Sequence, residues 1–532
     1  MKKFYILLLM ALAGTTQAFA QWNTNATPKC IFDAADKGDY YACNPKVVRT
    51  PDKKTWIAWK TARSFERNGA IHSGECTYLQ LLDINGVPLF EQPILVNDHV
   101  TPSWWSEYAL CLASDGSAII TVADSRTEES TIPADQRYGY SFTPAIYKVD
   151  QEGNFLWGLD GIDYPNITNG AYTTAFVVGD DTYFIFIDTN ESSTAGATYI
   201  QRIDADGVTA WDEPRKQRDE PYLQYKIVPS LDGDLLFFDH TADGARVQRL
   251  NRDLEDQWGG PVIYDENKYD GYEMNHYRIL SDGNGGACVA FLRNMGQFSH
   301  NVRVQHINED SSLGFGLTGL DTYHDDAYDH NYPRIAVNPE TQEILVQFAS
   351  DLGSTGNVMH QKFSFDGDYL YDELAMSIAS KNSSTNSYFF GIVGVGALSC
   401  GDWICCYRDI VSYNTESFVI RRYDKEGNRV WTKTIGRDLG PNDTKFFVEE
   451  EAAYLFYRET RANKEPGIKI FRIGADGTYD VNYTDGITSV DDQREAGIES
   501  IYTLDGKQVK QLQRGLNVVK YSDGTVGKRF IK

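Results

Sequence analysis

The sequence predicts an all-β fold, an eight-bladed β-propeller with a small C-terminal β appendage; seven blades is the alternative count. Two observations carry this: one turn is written eight times at near-regular spacing, and a second hairpin recurs midway between the copies. Composition agrees, with 33 Tyr, 26 Phe and 10 Trp suited to strands and 45 Gly to turn corners.

Aligned on its glycine, the first turn reads LLDINGVPLF (Gly86), KVDQEGNFLW (Gly153), RIDADGVTAW (Gly207) and RLNRDLEDQW (Leu254 in the glycine place). It continues as HINEDSSLGF (Ser311), KFSFDGDYLY (Gly367), RYDKEGNRVW (Gly427) and RIGADGTYDV (Gly477). The intervals are 67, 54, 47, 57, 56, 60 and 50 residues. An Asp or Asn three positions earlier closes an Asx turn, and the glycine supplies a positive φ. Four positions after the glycine stands Phe90, Trp157, Trp211, Trp258, Phe315, Tyr371 or Trp431. One aromatic per unit, on the outgoing strand, is expected to fill the gap between neighbouring blades.

The second hairpin precedes strands that are apolar at nearly every position, such as EILVQF and DWICCY, as strands buried on both faces would be. Two hairpins per unit make four strands, and this period means a propeller. Tandem sandwiches would need about 100 residues per unit. The predicted blades are 45–98, 106–164, 171–218, 221–266, 275–323, 331–378, 386–436 and 443–483.

The ends differ from this body. Residues 1–20 read as a secretory signal peptide: Lys2 and Lys3, a short apolar run, and the small-x-small site Ala18-Phe19-Ala20. Residues 21–44 are expected to be an N-terminal segment ahead of the propeller at 45–483, and 484–497 an Asp-rich linker. Nothing downstream of the leader has the roughly 20 apolar residues of a membrane helix, so no transmembrane segment is expected. The tail at 498–532 carries Lys507, Lys510, Arg514, Lys520, Lys528, Arg529 and Lys532, and reads as three short strands.

IYTLDGKQV, RGLNVV and DGTVGKRFIK, in that order, resemble the type A C-terminal sorting domain of the Bacteroidota type IX secretion system, over the last 35 residues or so. The tail is shorter than that family's domain and lacks its upstream strand. The resemblance implies recognition by the type IX machinery and delivery to the cell surface or medium. The units IQRIDADGVTAW, VQRLNRDLEDQW and ILSDGNGGACVAF resemble secreted repeat propellers. That resemblance implies fold and exported location, and no activity.

A formal charge of −25 argues against a nucleic-acid partner, because a phosphate backbone must be met by Lys and Arg. A monomer with a glycan or protein ligand is the expected assembly. The working face of a propeller carries the inter-blade loops and the middle-strand loops. VNDHVTPSWWSEYAL, YDENKYDGYEMNHYRI and TYHDDAYDHNYPRI are dense in aromatic, Asp and His residues. From them Trp104, Trp105, Tyr108, His276, Tyr277 and Tyr332 are candidate stacking or contact residues. Arg63, Arg126, Arg293, Arg408 and Arg458 recur where middle loops begin; the competing reading pairs them with acids of neighbouring blades. His324, Asp325, Asp326, Asp329 and His330 are a weak metal candidate, with Ca²⁺ the cation the carboxylates would suit. No other cofactor is predicted. Cys30 and Cys43 are a candidate disulfide, whereas Cys111, Cys288, Cys405 and Cys406 fall in apolar strands as small buried side chains.

No nucleophile elbow or phosphate loop is present. The sialidase Asp-box, with glycine three before tryptophan, fails here, where the interval is four. A quinoprotein-like reading fits the blade number but not the turn length. The expectation is therefore a non-catalytic binding propeller, with a secreted glycan hydrolase or lyase as the alternative.

Overall fold

The computed structural model describes residues 22–24, 26–33, 42–67, 70–97, 99, 108–127, 142–167, 170–188, 197–218, 226–241, 243–266, 277–296, 299–323, 329–352, 355–371, 375–382, 391–412, 415–436, 441–459, 467–479, 498–503, 507–509, 515–521 and 526–531. Residues Met1–Asp480 form one compact unit and Val481–Lys532 a second.

The larger unit is a ring of eight antiparallel blades. Blade 1 is built from Ala42–Arg49, Thr55–Arg67, Ala70–Leu82 and Ile94–Leu95; blade 2 from Leu110–Leu112, Ala118–Asp124, Thr143–Val149 and Ile162–Asp163. Blade 3 comprises Gly170–Val178, Asp181–Asp188, Ala197–Ile203 and Arg215–Arg218; blade 4, Lys226–Pro229, Leu235–Thr241, Gly244–Leu250 and Val262–Asp265. Blade 5 has Arg278–Ser281, Ala287–Gly296, Ser299–Ile307 and Leu320–Asp321; blade 6 has Asp329–Asn338, Glu343–Leu352, Thr355–Ser364 and Met376–Asn382. Gly391–Ala397, Trp403–Ser412, Thr415–Tyr423 and Arg429–Ile435 make blade 7. Each blade's first strand touches the first strand of the next, from blade 1 round to blade 8 and back. Those eight strands wall the central channel.

Blade 8 corrects the predicted boundary. Pro441–Glu449, Ala452–Glu459 and Gly467–Gly474 supply three of its strands, and Thr27–Asp33 from the N-terminal segment adds the fourth. Asn23–Thr24 lies outside it, and Asn23 Oδ1 accepts from the Arg472 amide at 3.0 Å. Ring closure thus joins the two ends of the domain through main-chain pairing.

The repeated turn forms as its chemistry requires. In all eight copies the amide of the glycine-place residue donates to the carbonyl three back, at 2.8–3.1 Å. Asp150 Oδ1 accepts from the Glu152 and Asn154 amides at 3.0 and 2.7 Å, and Asp83, Asp204 and Asn251 bond in the same way. Leu254 and Ser311 hold the left-handed conformation without being glycine, at φ 64° and 76°. In blades 1 to 6 the following aromatic does not sit on the regular outer strand as expected. An isolated bridge, Val149 to Phe155 for example, fixes the chain just before it.

These aromatics lock each blade to the next. A methyl group added at Gly207 would lie 2.6 Å from the Trp157 ring, and one at Gly477 would lie 3.1 Å from Trp431. The indole N–H groups of Trp258 and Trp431 cap the exposed turn carbonyls of Glu309 and Ala475 at 3.0 and 2.9 Å. The eighth turn carries no aromatic of its own, Val481 standing in the place. Trp22 fills the vacancy: it packs against Gly86 and donates to the Ile84 carbonyl at 2.9 Å.

Middle strands are buried on both faces, as their unbroken apolar runs imply. In blade 6, Ile344, Val346 and Phe348 pack on blade 5 while Leu345 packs with Trp403 of blade 7. Cys288, Cys405 and Cys406 are buried; Cys400 is exposed and neither it nor Cys405 is bridged. Cys30 donates its S–H to the Phe32 carbonyl, and the Cys43 side chain lies outside the described residues. The smaller unit is a four-stranded sheet ordered Gln508–Val509, Ile498–Thr503, Gly515–Tyr521, Val526–Ile531, one strand more than expected because IYTLDGKQV folds as a hairpin.

Trp22 is 4% exposed and closes the ring. Trp22→Ala is expected to cost about 3–5 kcal/mol, read by urea denaturation; a loss under 1 kcal/mol would show that strand pairing alone holds the closure. A second prediction concerns acid. His360 of blade 6 is fully buried, and neither ring nitrogen has a hydrogen-bond partner among the described residues. Burial, and then the charge of Arg421, push its pKa down to about 3. The folded pKa lies below the unfolded one, so its contribution is intact above pH 6.5 and is lost as pH falls towards 3. Between pH 7 and pH 4 this is about 2–3 kcal/mol, and His360→Gln should flatten the slope by that amount.

Candidate functional site

The channel mouth at which the first strands begin is the face predicted to work. First strands carry β-bulges there: between Cys43 and Lys46, Ala171 and Thr174, Asn331 and Arg334, Ile392 and Gly394, and Asn442 and Lys445. At four of them the backbone is left-handed without glycine, at Asn44, Tyr172, Tyr332 and Asp443 with φ 49°, 49°, 58° and 48°. A bulky residue there is strained, and such strain concentrates at binding sites. The bulge residues other than Tyr332 escaped the sequence reading. The Asn-Pro and Tyr-Pro pairs at 44–45 and 332–333 were the available signal.

Of the predicted aromatic contacts, Tyr332 is 56% exposed on the innermost strand of blade 6. Tyr108 is a correction. It is 2% exposed, its hydroxyl donates to the Asn44 carbonyl at 2.7 Å, and the Lys46 and Lys60 ammonium groups lie 5.5 and 5.3 Å from its ring. Tyr277 is likewise buried, stacked on Phe291 at 5.8 Å with its hydroxyl on Asp265 at 2.9 Å. Both rings already pack within the protein because inter-blade packing reaches up to the start of the first strand. Beside Tyr277, a recess of about 280 Å³ including its open mouth is lined by Lys226, Asp239, His240 and Tyr264. Trp104, Trp105, His276, His324, Asp325 and Asp326 lie outside the described residues, as do the side chains of Arg63, Asp329 and His330. Among the described residues no group of three or more metal-ligating side chains occurs.

The recurrent arginines mostly bond to acids of their own blade. Arg126 is 8% exposed and grips Asp124 with two bonds of 2.9 and 3.0 Å. It also donates to the Asp160 carbonyl at 2.6 Å, to Asp163 at 3.2 Å and to the Tyr147 hydroxyl at 2.5 Å. Arg408 reaches Glu416 at 3.4 Å, and Arg458 reaches Asp443 at 3.1 Å, holding the acidic bulge of blade 8. Arg293, half-buried, has no side-chain partner among the described residues. The sequence could not place Asp124, Tyr147 and Asp163 as one network, because they come from three strands.

Arg126 and Arg293 therefore differ measurably. Arg126→Gln leaves Asp124 buried without its counter-charge and is expected to lower stability by about 3–5 kcal/mol. Arg293→Gln should stay within about 0.5 kcal/mol of wild type. Urea titration of both variants checks this; equal losses would contradict the difference in pairing.

No protein-family model matches the chain, and no curated protein does. Solved structures align with the chain at low identity. Prolyl oligopeptidase B from Galerina marginata aligns at 13% identity and TM-score 0.40 over 79% of this chain, which spans only 55% of that one. The polysaccharide lyase Uly1 aligns at 8% identity and TM-score 0.38, over 80% of this chain and 88% of its own. The β-propeller domain of the trilobed protease from Pyrococcus furiosus aligns at 10% identity and TM-score 0.37, over 73% of this chain and 99% of its own.

Proposed function

We propose that the protein is an exported, surface-associated propeller that binds a glycan or protein ligand at its channel mouth without turning it over. The observation carrying this reading is Tyr332, an exposed aromatic ring held in a strained left-handed backbone on the innermost strand. Exposing such a face and straining its backbone both cost stability, which selection tolerates where the ring meets something. The loops at the same mouth add Trp104 and Trp105 by sequence. Among the described residues, Asp124, Asp239 and Asp443 are each tied to an arginine. The leader at 1–20 and the tail at 498–532 support export and recognition by the type IX machinery.

The test is a glycan and protein array run beside a hydrolysis screen on the same ligands. Retention without turnover, weakened about tenfold by Tyr332→Ala or by Trp104→Ala with Trp105→Ala at unchanged Tm, is the expected result. Turnover without measurable retention would favour a glycan hydrolase or lyase instead. Deleting 498–532 should block surface delivery and leave the propeller's unfolding curve unchanged.

A further inference from the structure

The recess beside Tyr277 is built where the facing surfaces of blades 4 and 5 reach the channel mouth. Lys226 opens the first strand of blade 4, and Tyr277 immediately precedes the first strand of blade 5. On blade 4, Lys226 pairs with Phe238, and His240 follows two residues on, so alternation puts it on the same face. On blade 5, Tyr277 and Ile279 flank Arg278 and both turn to blade 4, where they join one apolar cluster with Phe238. Tyr264 comes from the outermost strand of blade 4. The walls are braced by their own contacts. His240 meets Tyr277 edge to face at 5.4 Å, and Tyr264 meets Phe238 and Tyr277 in the same way at 6.0 and 6.2 Å. Tyr277 is backed by Phe291 at 5.8 Å, and its hydroxyl is held by Asp265 at 2.9 Å. Asp239 also lines the recess, and its carboxylate is held by Arg246 at 2.8 Å. Walls fixed in this way lose little freedom when a ligand enters.

Size and polarity decide what such a recess can take. Of its volume of about 280 Å³ most is open mouth; the enclosed part admits about one water-sized group, and the wall is mostly apolar. The Trp, Tyr and Arg side chains that anchor protein partners are far too large for it. A hydroxyl would exchange water for largely apolar surroundings, which costs free energy unless every hydrogen bond is remade. A methyl group bears no such cost, and it gains dispersion contact with the rings of Phe238, His240, Tyr264 and Tyr277. Of the lining residues only Lys226 is exposed, so it marks the open side. An ammonium group has three donors and suits a carbonyl oxygen next to the buried methyl.

We propose that this recess is a subsite for the acetamido group of an N-acetylated sugar. The methyl enters among Phe238, His240, Tyr264, Tyr277 and Ile279, and the amide carbonyl stays at the open side with Lys226. The assignment rests on the reading of the propeller as a binding module, and it selects a glycan over a protein as the ligand.

The test uses the full chain and four monosaccharide probes: N-acetylglucosamine, N-propionylglucosamine, glucose and L-fucose, followed by saturation-transfer NMR and by titration. The acetyl methyl is expected to receive the strongest saturation. N-acetylglucosamine should bind at least about tenfold better than glucose and than its N-propionyl analogue, the scale set by one methyl or methylene in a fitted pocket. Ile279→Phe fills the recess and should abolish that preference at unchanged Tm. Ile279→Ala widens it and should turn the preference towards N-propionylglucosamine, a reversal that misfolding would not produce. Equal binding of N-acetylglucosamine and glucose, or a preference unchanged in both Ile279 variants, would overturn the subsite. Tighter binding of L-fucose than of N-acetylglucosamine would overturn the acetamido assignment. The array result is separate: retention confined to glycans without acetamido groups sinks this subsite and leaves the binding reading in place. Acetamido preference among the free sugars, with nothing retained on the array, does the reverse.

Discussion

The ring depends on one repeated contact, an aromatic ring of each blade pressed on the left-handed turn of the next. Turn and wedge need the same residue for different reasons. The turn needs a backbone that tolerates positive φ, and the wedge needs a site without a β-carbon. Glycine meets both demands, and at one of the two places where it is missing the contact changes. At Leu254 the Trp211 ring is covered by Arg215 at 4.1 Å, while the Tyr183 hydroxyl caps the Arg252 carbonyl at 3.0 Å. The carbonyl is satisfied in either arrangement, so what the ring preserves is the cap as much as the hydrophobic plug.

Closing eight blades through such contacts forces eight strands together at the centre, and this sets the chemistry available there. Main-chain bulges splay the strand starts at the mouth, where Tyr332 is exposed. Acids are committed both within blades, as Asp239 is to Arg246 at 2.8 Å, and between them, as Glu449 is to Arg49 at 2.7 Å.

Blade number and the inter-blade role of the aromatics were legible from the sequence because each is a local signal repeated at a fixed spacing. Ring closure was not legible. The eighth aromatic is Trp22, and no periodicity links it to Gly477. The buried states of Tyr108 and Tyr277 were missed for a related reason. Their loops read as surface, but whether a first-strand tyrosine faces water depends on how closely the preceding blade packs, as Asp265 of blade 4 does on Tyr277. The arginine positions were recognisable from recurrence, and only the fold revealed that their partners are intrablade acids.

The pairing of Thr27–Asp33 with Gly467–Gly474 also imposes an order of events. Asn23 and Arg472 meet across 449 positions, and closing so long a loop costs about 5 kcal/mol of chain entropy before any contact repays it. A chain emerging N-terminus first must carry the strand Thr27–Asp33 without its blade 8 partner until the last blade has followed. The first seven blades are left as an open arc with two unpaired ends for that interval, exposed to proteases and to pairing with a second copy. Survival of the nascent molecule is thus decided by how soon residue 474 becomes available, and a truncation a few residues short of it should be degraded rather than partly functional.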